Sequence, residues 1–237
     1  MKNGQDQGVQ AADPRPTHMR IVAFDFDGTL SDSEMTVLLG EREGVAGEMA
    51  DITERAMNDE ISYAESLRKR AGLLTDLEED LAEEAYGEVR LRPGAARVIE
   101  RLRERGHYVA ILTGGFERGV RRALEHEGVE VDEIVSNRLP VSGGRLTGEV
   151  EGSLIEGTKD EQLERLADEQ DVPLSETVAV GDGANDLPML EVAGLAVGYQ
   201  PKPAVAPACD LVVESMTELA DRFEDEGILV PDVRNER

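Results

Sequence analysis

Apolar residues gather along this chain in short unbroken runs rather than in strict alternation with polar ones. Ile21–Phe24, Tyr108–Leu112, Thr177–Val180 and Leu195–Val197 are the clearest, with weaker runs at Glu133–Val135 and Leu211–Val213. Runs of this length fit strands buried on both faces, as in a parallel sheet. Between them the period changes. Ala95, Val98, Ile99 and Leu102 stand at i, i+3, i+4 and i+7, the buried face of a helix, and Gly106 is placed to end it. Leu163, Leu166 and Ala167 repeat that spacing further on. Strand–helix–strand alternation predicts an α/β fold with a doubly wound, Rossmann-like parallel sheet. No internal repeat is evident.

Two stretches break the alternation. Residues 34–91 hold no strand-like run but are rich in Glu, Ala, Leu and Arg, which predicts a small helical insertion after the first strand's loop. Residues 137–152 read as a β-hairpin turning at Gly143-Gly144. Residues 1–18 lack any apolar period and read as a loose tail, so that Met19 could be a natural start. The expected organisation is therefore a tail (1–18), an α/β core formed by 19–33 and 92–237, and a helical domain of 34–91 set into it.

Composition narrows the setting. Of the 237 residues 40% are apolar but only 3% aromatic, with no Trp, so the core must be built from Val, Leu, Ile and Ala. The single cysteine, Cys209, excludes an internal disulfide and fits a reducing, cytoplasmic location. No apolar run approaches the ~18 residues of a membrane span, and the N-terminus lacks the apolar stretch of a signal peptide. The net charge of −26 argues against nucleic acid as a partner. Such acidity signals either disorder or a solvated coat tolerated in high salt, and its spread over regular apolar segments favours the coat. The chain is expected to act as a monomer or homodimer on a small molecule.

The unusual polar residues follow the apolar part of a predicted strand: Asp25/Asp27, Thr113/Gly114 and Asp182/Asp186. In an open α/β sheet the carboxyl edge of the strands is where ligands bind. Two carboxylates at one strand end suit a metal ion and in-line attack on phosphorus; the bland alternative is that they cap a helix or make a turn. A second carboxylate pair with Asn185, delivered through Val180-Gly181-Asp182-Gly183, favours a hard divalent cation. A dinucleotide-binding reading of this Gly-x-Gly is weak, because Asp182 and Asp186 would face the pyrophosphate. Leu112-Thr113-Gly114-Gly115 offers a hydroxyl and a bare backbone N–H to phosphoryl oxygens, or is simply a Gly-rich turn. Lys159 is either a solvated charge or the cation that offsets a phosphate.

Asp-Phe-Asp-Gly-Thr (25–29), Thr-Gly-Gly (113–115), the lone Lys159 and Gly-Asp-Gly-Ala-Asn-Asp (181–186) together resemble, in order, the four motifs of the haloacid dehalogenase superfamily of phosphohydrolases. The resemblance runs from residue 19 onward and is strongest to the superfamily's phosphoserine-hydrolysing branch. It implies a HAD-type core with a small cap over residues 34–91. It further implies hydrolysis of phosphoserine, the last step of serine biosynthesis, through an aspartyl-phosphate. Asp25 would be the nucleophile and Asp27 the general acid/base. Mg²⁺ would be held by Asp25, Asp182 and the backbone carbonyl of Asp27, with Asp186 behind it. Thr113, Gly114, Lys159 and Asn185 would hold the phosphoryl oxygens, Glu34 the substrate ammonium and Arg70, ending Ser66–Arg70, its carboxylate. Thr113 replaces the family's serine and Tyr63 its frequent phenylalanine. Alternatives are a phosphatase or phosphotransferase of the same superfamily acting on another small phosphate monoester, a non-catalytic Mg²⁺ or phosphate-binding module, and an interaction protein with an acidic face.

Overall fold

The structure, a computed structural model, describes residues 19–57 and 60–231; the expected tail, residues 1–18, lies outside them. Strand β1 (Ile21–Phe24) is wholly buried along its length because it is paired on both sides. In chain order follow helices α1 (Met35–Glu43), α2 (Ala46–Met57), α3 (Tyr63–Gly72), α4 (Glu79–Tyr86) and α5 (Ala95–Glu104). Then come β2 (Tyr108–Phe116), α6 (Glu117–Glu127), β3 (Glu133–Arg138), β4 (Val141–Ser142), β5 (Arg145–Leu146) and β6 (Glu151–Gly152). The chain ends through α7 (Lys159–Glu169), β7 (Thr177–Gly181), α8 (Leu187–Val192), β8 (Leu195–Tyr199), β9 (Leu211–Val213) and α9 (Met216–Asp225).

Seven strands make one sheet in the order β6-β3-β2-β1-β7-β8-β9, parallel except for β6, which runs antiparallel to β3. Ile21 pairs with Tyr108 on one side and Thr177 on the other, so β1 is central. Successive side chains of β1 point to opposite faces, and the core divides accordingly. Val22 and Phe24 join Val98, Ile99 and Leu102 of α5 and Leu219 and Phe223 of α9. Ile21 and Ala23 join Leu163, Leu166 and Ala167 of α7 and Met189 and Leu190 of α8. The doubly wound expectation holds, and Gly106 does follow α5 in the left-handed conformation (φ 81°) that ends a helix.

One strand boundary differs from the sequence reading. The apolar run of β2 ends at Leu112, yet the strand continues through Thr113, Gly114 and Gly115 to Phe116. Pairing with β3 shifts register between Leu112 and Phe116. The glycines thus interrupt a ladder inside a strand rather than form a turn after it, a usual role of glycine within strands. The hairpin lies where expected: β4 and β5 pair across Gly143 and Gly144, both at positive φ (60° and 76°).

Helices α1–α4 occupy the stretch between β1 and α5. Their inward residues Met35, Leu39, Met49, Leu67 and Tyr86, with Leu74 and Leu77 from the turn between α3 and α4, belong to the same buried cluster as Val22 and Phe24. Helix α4 is tied to α6 by Arg118 with Glu79 (2.9 Å) and Glu83 (3.0 Å), and by Arg122 with Glu83 (2.9 Å). On the opposite rim Arg68 of α3 pairs with Glu156. Among the described residues no helix is long and apolar enough to cross a membrane.

Candidate active site

Because β1 pairs with both β2 and β7, the ends of these three strands are neighbours. Asp25 follows β1 and donates its N–H to Val180 O (2.8 Å), which fixes the carboxylate at the sheet's edge. A cavity of about 480 Å³ opens there. Asp25, Asp27, Thr113, Gly114, Asp182 and Asn185 line it from the sheet, and Glu34, Thr36, Ser62 and Tyr63 from the helices. Gly28 turns the chain at φ 93°, and a Cβ there would stand 2.7 Å from Asp182 Oδ1. The loop after β1 can approach Asp182 only as glycine. Gly181 likewise admits Asp186, whose Cβ would lie 2.6 Å from a Cβ at that position.

Lys159 enters from the first residue of α7, almost fully buried. Its Nζ donates to Asp25 Oδ1 (2.5 Å) and to Asp186 Oδ1 (2.6 Å). Burial by itself would lower the lysine's pKa, but the two carboxylates outweigh it and hold the ammonium above its ordinary range. Asp186 is anchored further: its Oδ2 accepts from the N–H groups of Asp182 and Gly183, both 2.9 Å. One ammonium does not suffice for the carboxylates gathered here. Burial, then the charge of Asp186, pushes Asp25 up to about 7 despite the bond from Lys159, with Asp182 adding to the effect.

That charge imbalance is what a cation would correct. Carboxylate oxygens of Asp25, Asp182 and Asp186 lie within 4.8 Å of one another. An all-oxygen donor set of this kind fits a hard divalent ion. Asp186 already directs its oxygens to Lys159 and to backbone N–H groups, so Asp25 and Asp182 are the members with coordination capacity to spare. Among the described residues Asp182 forms an ion pair with Lys202 (3.3 Å), a half-exposed residue beyond β8, and Lys159 adds a weaker pull.

Asp27 stands apart from Lys159. Its Oδ1 is buried without a hydrogen-bond partner among the described residues, and its Oδ2 lies against Gly115, where a Cβ would come within 2.5 Å. Burial raises its pKa well above the carboxylate range, with the charges of Glu34 and Asp25 acting in the same direction. A carboxyl in such surroundings keeps a proton to give. Thr113 Oγ1 accepts from Gly115 N–H (2.9 Å), leaving the hydroxyl proton free for a ligand.

The two predicted contacts from the helical segment are placed differently. Glu34 lines the cavity at the start of α1. Arg70, in the last turn of α3, is not among the lining residues; its Nη1 donates to Thr36 Oγ1 (3.1 Å), and its Nε is buried without a partner among the described residues. Lys202, Thr36 and Arg92 escaped the sequence reading. Arg92 donates to Gly28 O (3.1 Å) and lies 5.1 Å from the centre of the Tyr199 ring, bracing the loop after β1. Applying the carboxyl-edge rule to β8 would have found Lys202; nothing local marks Thr36 or Arg92.

Residues 22–191 match the family of haloacid dehalogenase-like hydrolases. The chain is 50% identical over 210 residues to a phosphoserine phosphatase of Halobacterium salinarum, covering 89% of this chain and 100% of that one. A solved structure described as a phospho-aspartyl intermediate analogue of phosphoserine phosphatase superposes with a TM-score of 0.80 at 37% identity, covering 86% of this chain and 98% of that one. A substrate-bound phosphoserine phosphatase superposes equally well, with a TM-score of 0.80, 36% identity and coverage of 87% and 98%.

Proposed function

The chain belongs to the haloacid dehalogenase-like hydrolase family, and from that premise we propose that it hydrolyses O-phospho-L-serine to L-serine and phosphate, the closing step of serine synthesis. The observation that carries the chemistry is the state of Asp25. Its Oδ1 is held by Lys159, which does not line the cavity, while its Oδ2 bears no hydrogen bond among the described residues and Asp25 itself lines the cavity. The free oxygen attacks phosphorus in line, the bond from phosphorus to the seryl oxygen breaks, and an aspartyl-phosphate forms on Asp25. Asp27 gives its proton to the departing seryl oxygen. It then takes a proton from the water that cleaves the aspartyl-phosphate, and phosphate leaves.

The remaining residues position and neutralise. Thr113, Gly114 N–H and Asn185 line the cavity beside Asp25 and receive the phosphoryl oxygens. Lys159 fixes the nucleophile's orientation. We assign a divalent cation, Mg²⁺, to Asp25, Asp182 and the backbone carbonyl of Asp27, with Asp186 behind them; when bound it supplies positive charge against the phosphoryl group. Helices α1–α4 act as a cap over the cavity, Glu34 meeting the substrate ammonium and Arg70 its carboxylate, for which Arg70 exchanges its bond to Thr36. The lone cysteine and the small-molecule substrate fit a cytoplasmic enzyme.

Phosphate release from phosphoserine and from p-nitrophenyl phosphate, compared between the native protein and Arg70→Ala, tests the substrate. A charged hydrogen bond contributes about 1.5–3 kcal/mol, so kcat/KM on phosphoserine should fall on the order of tenfold or more while p-nitrophenyl phosphate is nearly unaffected. Equal losses on both esters would remove phosphoserine in favour of another small monoester.

A further inference from the structure

Tyr63 opens α3, yet its side chain reaches the sheet side of the cavity. A Cβ built on Gly114 would stand 1.7 Å from Tyr63 Oη and 2.9 Å from Cζ. The phenol tip therefore occupies the volume that glycine leaves on β2. Its position is set from below: Ser62 Oγ caps the helix by accepting from Glu65 N–H (3.1 Å), and the Tyr63 ring packs against the main apolar cluster. In spite of this fixed placement the hydroxyl makes no hydrogen bond among the described residues.

The oxygen is not sealed inside the protein but opens on the cavity, so its proton can be given to whatever the cavity binds. A phenylalanine would keep the ring's packing against the apolar cluster but would bring no donor to Gly114. Burial pushes the phenol up to about 12, against the opposing pull of Lys159 and Arg70. It therefore stays protonated and is available as a donor. It lines the same cavity as Asp25, Thr113 and Gly114, where donors meet an incoming phosphate.

We propose that Tyr63 Oη donates a hydrogen bond to the phosphoryl group of the bound monoester, making Tyr63 a substrate-binding residue supplied by the helical segment. This rests on the phosphomonoester reading of the site above. The phosphoryl group is favoured over the serine portion because Oη lies against Gly114, next to Thr113 on β2. The hydroxyl then gains a charged acceptor when substrate or phosphate is present, which couples seating of α3 over the cavity to its occupancy.

Tyr63→Phe isolates the hydroxyl. KM for phosphoserine, KM for p-nitrophenyl phosphate and the inhibition constant of inorganic phosphate should rise together, by roughly three- to tenfold as for one neutral hydrogen bond. The melting temperature should change little, because no hydrogen bond among the described residues is lost. A rise confined to phosphoserine would place the contact at the amino-acid end and overturn the assignment. Unchanged constants in all three assays would reduce Tyr63 to packing and overturn it equally. Should the native protein release no phosphate from phosphoserine, the substrate reading fails, whereas the p-nitrophenyl phosphate and inorganic phosphate arms still decide the role of Tyr63.

Discussion

Lys159 and Asp25 meet inside the protein across 134 residues of sequence, with Nζ 2.5 Å from Oδ1 and both side chains at most 4% exposed. The contact joins the first turn of α7 to the end of β1 and leaves the other oxygen of Asp25 free.

Replacing Asp25 by Asn should remove the nucleophile without removing the fold. Turnover is expected to fall on the order of 10⁴-fold or more, while thermal melting shifts by only a few degrees because Lys159 keeps Asp186. Steady-state phosphate release together with a melting curve measures both. Substantial remaining turnover would exclude Asp25 as nucleophile.

Lys159→Met has the opposite profile. It strands Asp25 and Asp186 in a buried setting without their cation, and breaking such a pair costs about 3–5 kcal/mol. The variant should melt well below the native protein in chelator, and a divalent cation should restore part of the loss, since it supplies charge at the same carboxylates. A melting temperature indifferent to chelator and cation alike would count against metal binding here.

Gly28→Ala and Gly106→Ala make a controlled pair. Both residues have positive φ (93° and 81°), so each substitution carries strain of about 1–2 kcal/mol. Of the two, only residue 28 would bring the new Cβ against a carboxylate, 2.7 Å from Asp182 Oδ1, whereas no described residue beyond the chain neighbours lies within 4 Å at residue 106. Cation titration of activity should therefore show roughly tenfold weaker binding for Gly28→Ala and native binding for Gly106→Ala. Equal cation affinities in the two variants would show that Asp182 does not hold the ion.

His107 gives stability a defined pH dependence. Its Nδ1 accepts from Arg20 N–H (3.2 Å), so the ring proton sits on Nε2 and is donated to Ile228 O (2.8 Å). Burial, with Arg20 and Arg105 nearby, lowers its pKa below the ordinary 6.5 in spite of the Ile228 bond. For a histidine whose folded pKa is depressed, the folded state binds fewer protons. Its contribution is complete above the unfolded pKa and is lost as pH falls from 6.5 through the lower folded value. Melting temperatures measured on descent to about pH 5 should drop more steeply for the native protein than for His107→Gln; parallel curves would assign the acid sensitivity elsewhere.

The charge of −26 should make stability depend on salt. Raising KCl to ~1 M shortens the Debye length to ~3 Å, which screens repulsion among the surface carboxylates. Melting temperature should climb steeply with KCl. Full folding and full stability in dilute buffer would sink the high-salt explanation of the acidic coat.

The sequence alone determined what depends on local pattern. Unbroken apolar runs announced a buried parallel sheet because strands covered on both faces have no polar side. Asp25, Thr113 and Asp182 were found because each interrupts or follows such a run, and glycine pairs at 114–115 and 143–144 marked places where backbone must come close or turn. Tertiary structure decided the rest, because it concerns distances between segments that no period encodes. It kept Gly114 within β2 instead of in a turn, and it brought Tyr63 into the space above it. It set Arg70 behind Thr36, and it brought Lys202 from beyond β8 to Asp182. It also shows how Lys159 is engaged: a lone lysine in an acidic sequence looks like any solvated charge until the fold buries it between two carboxylates.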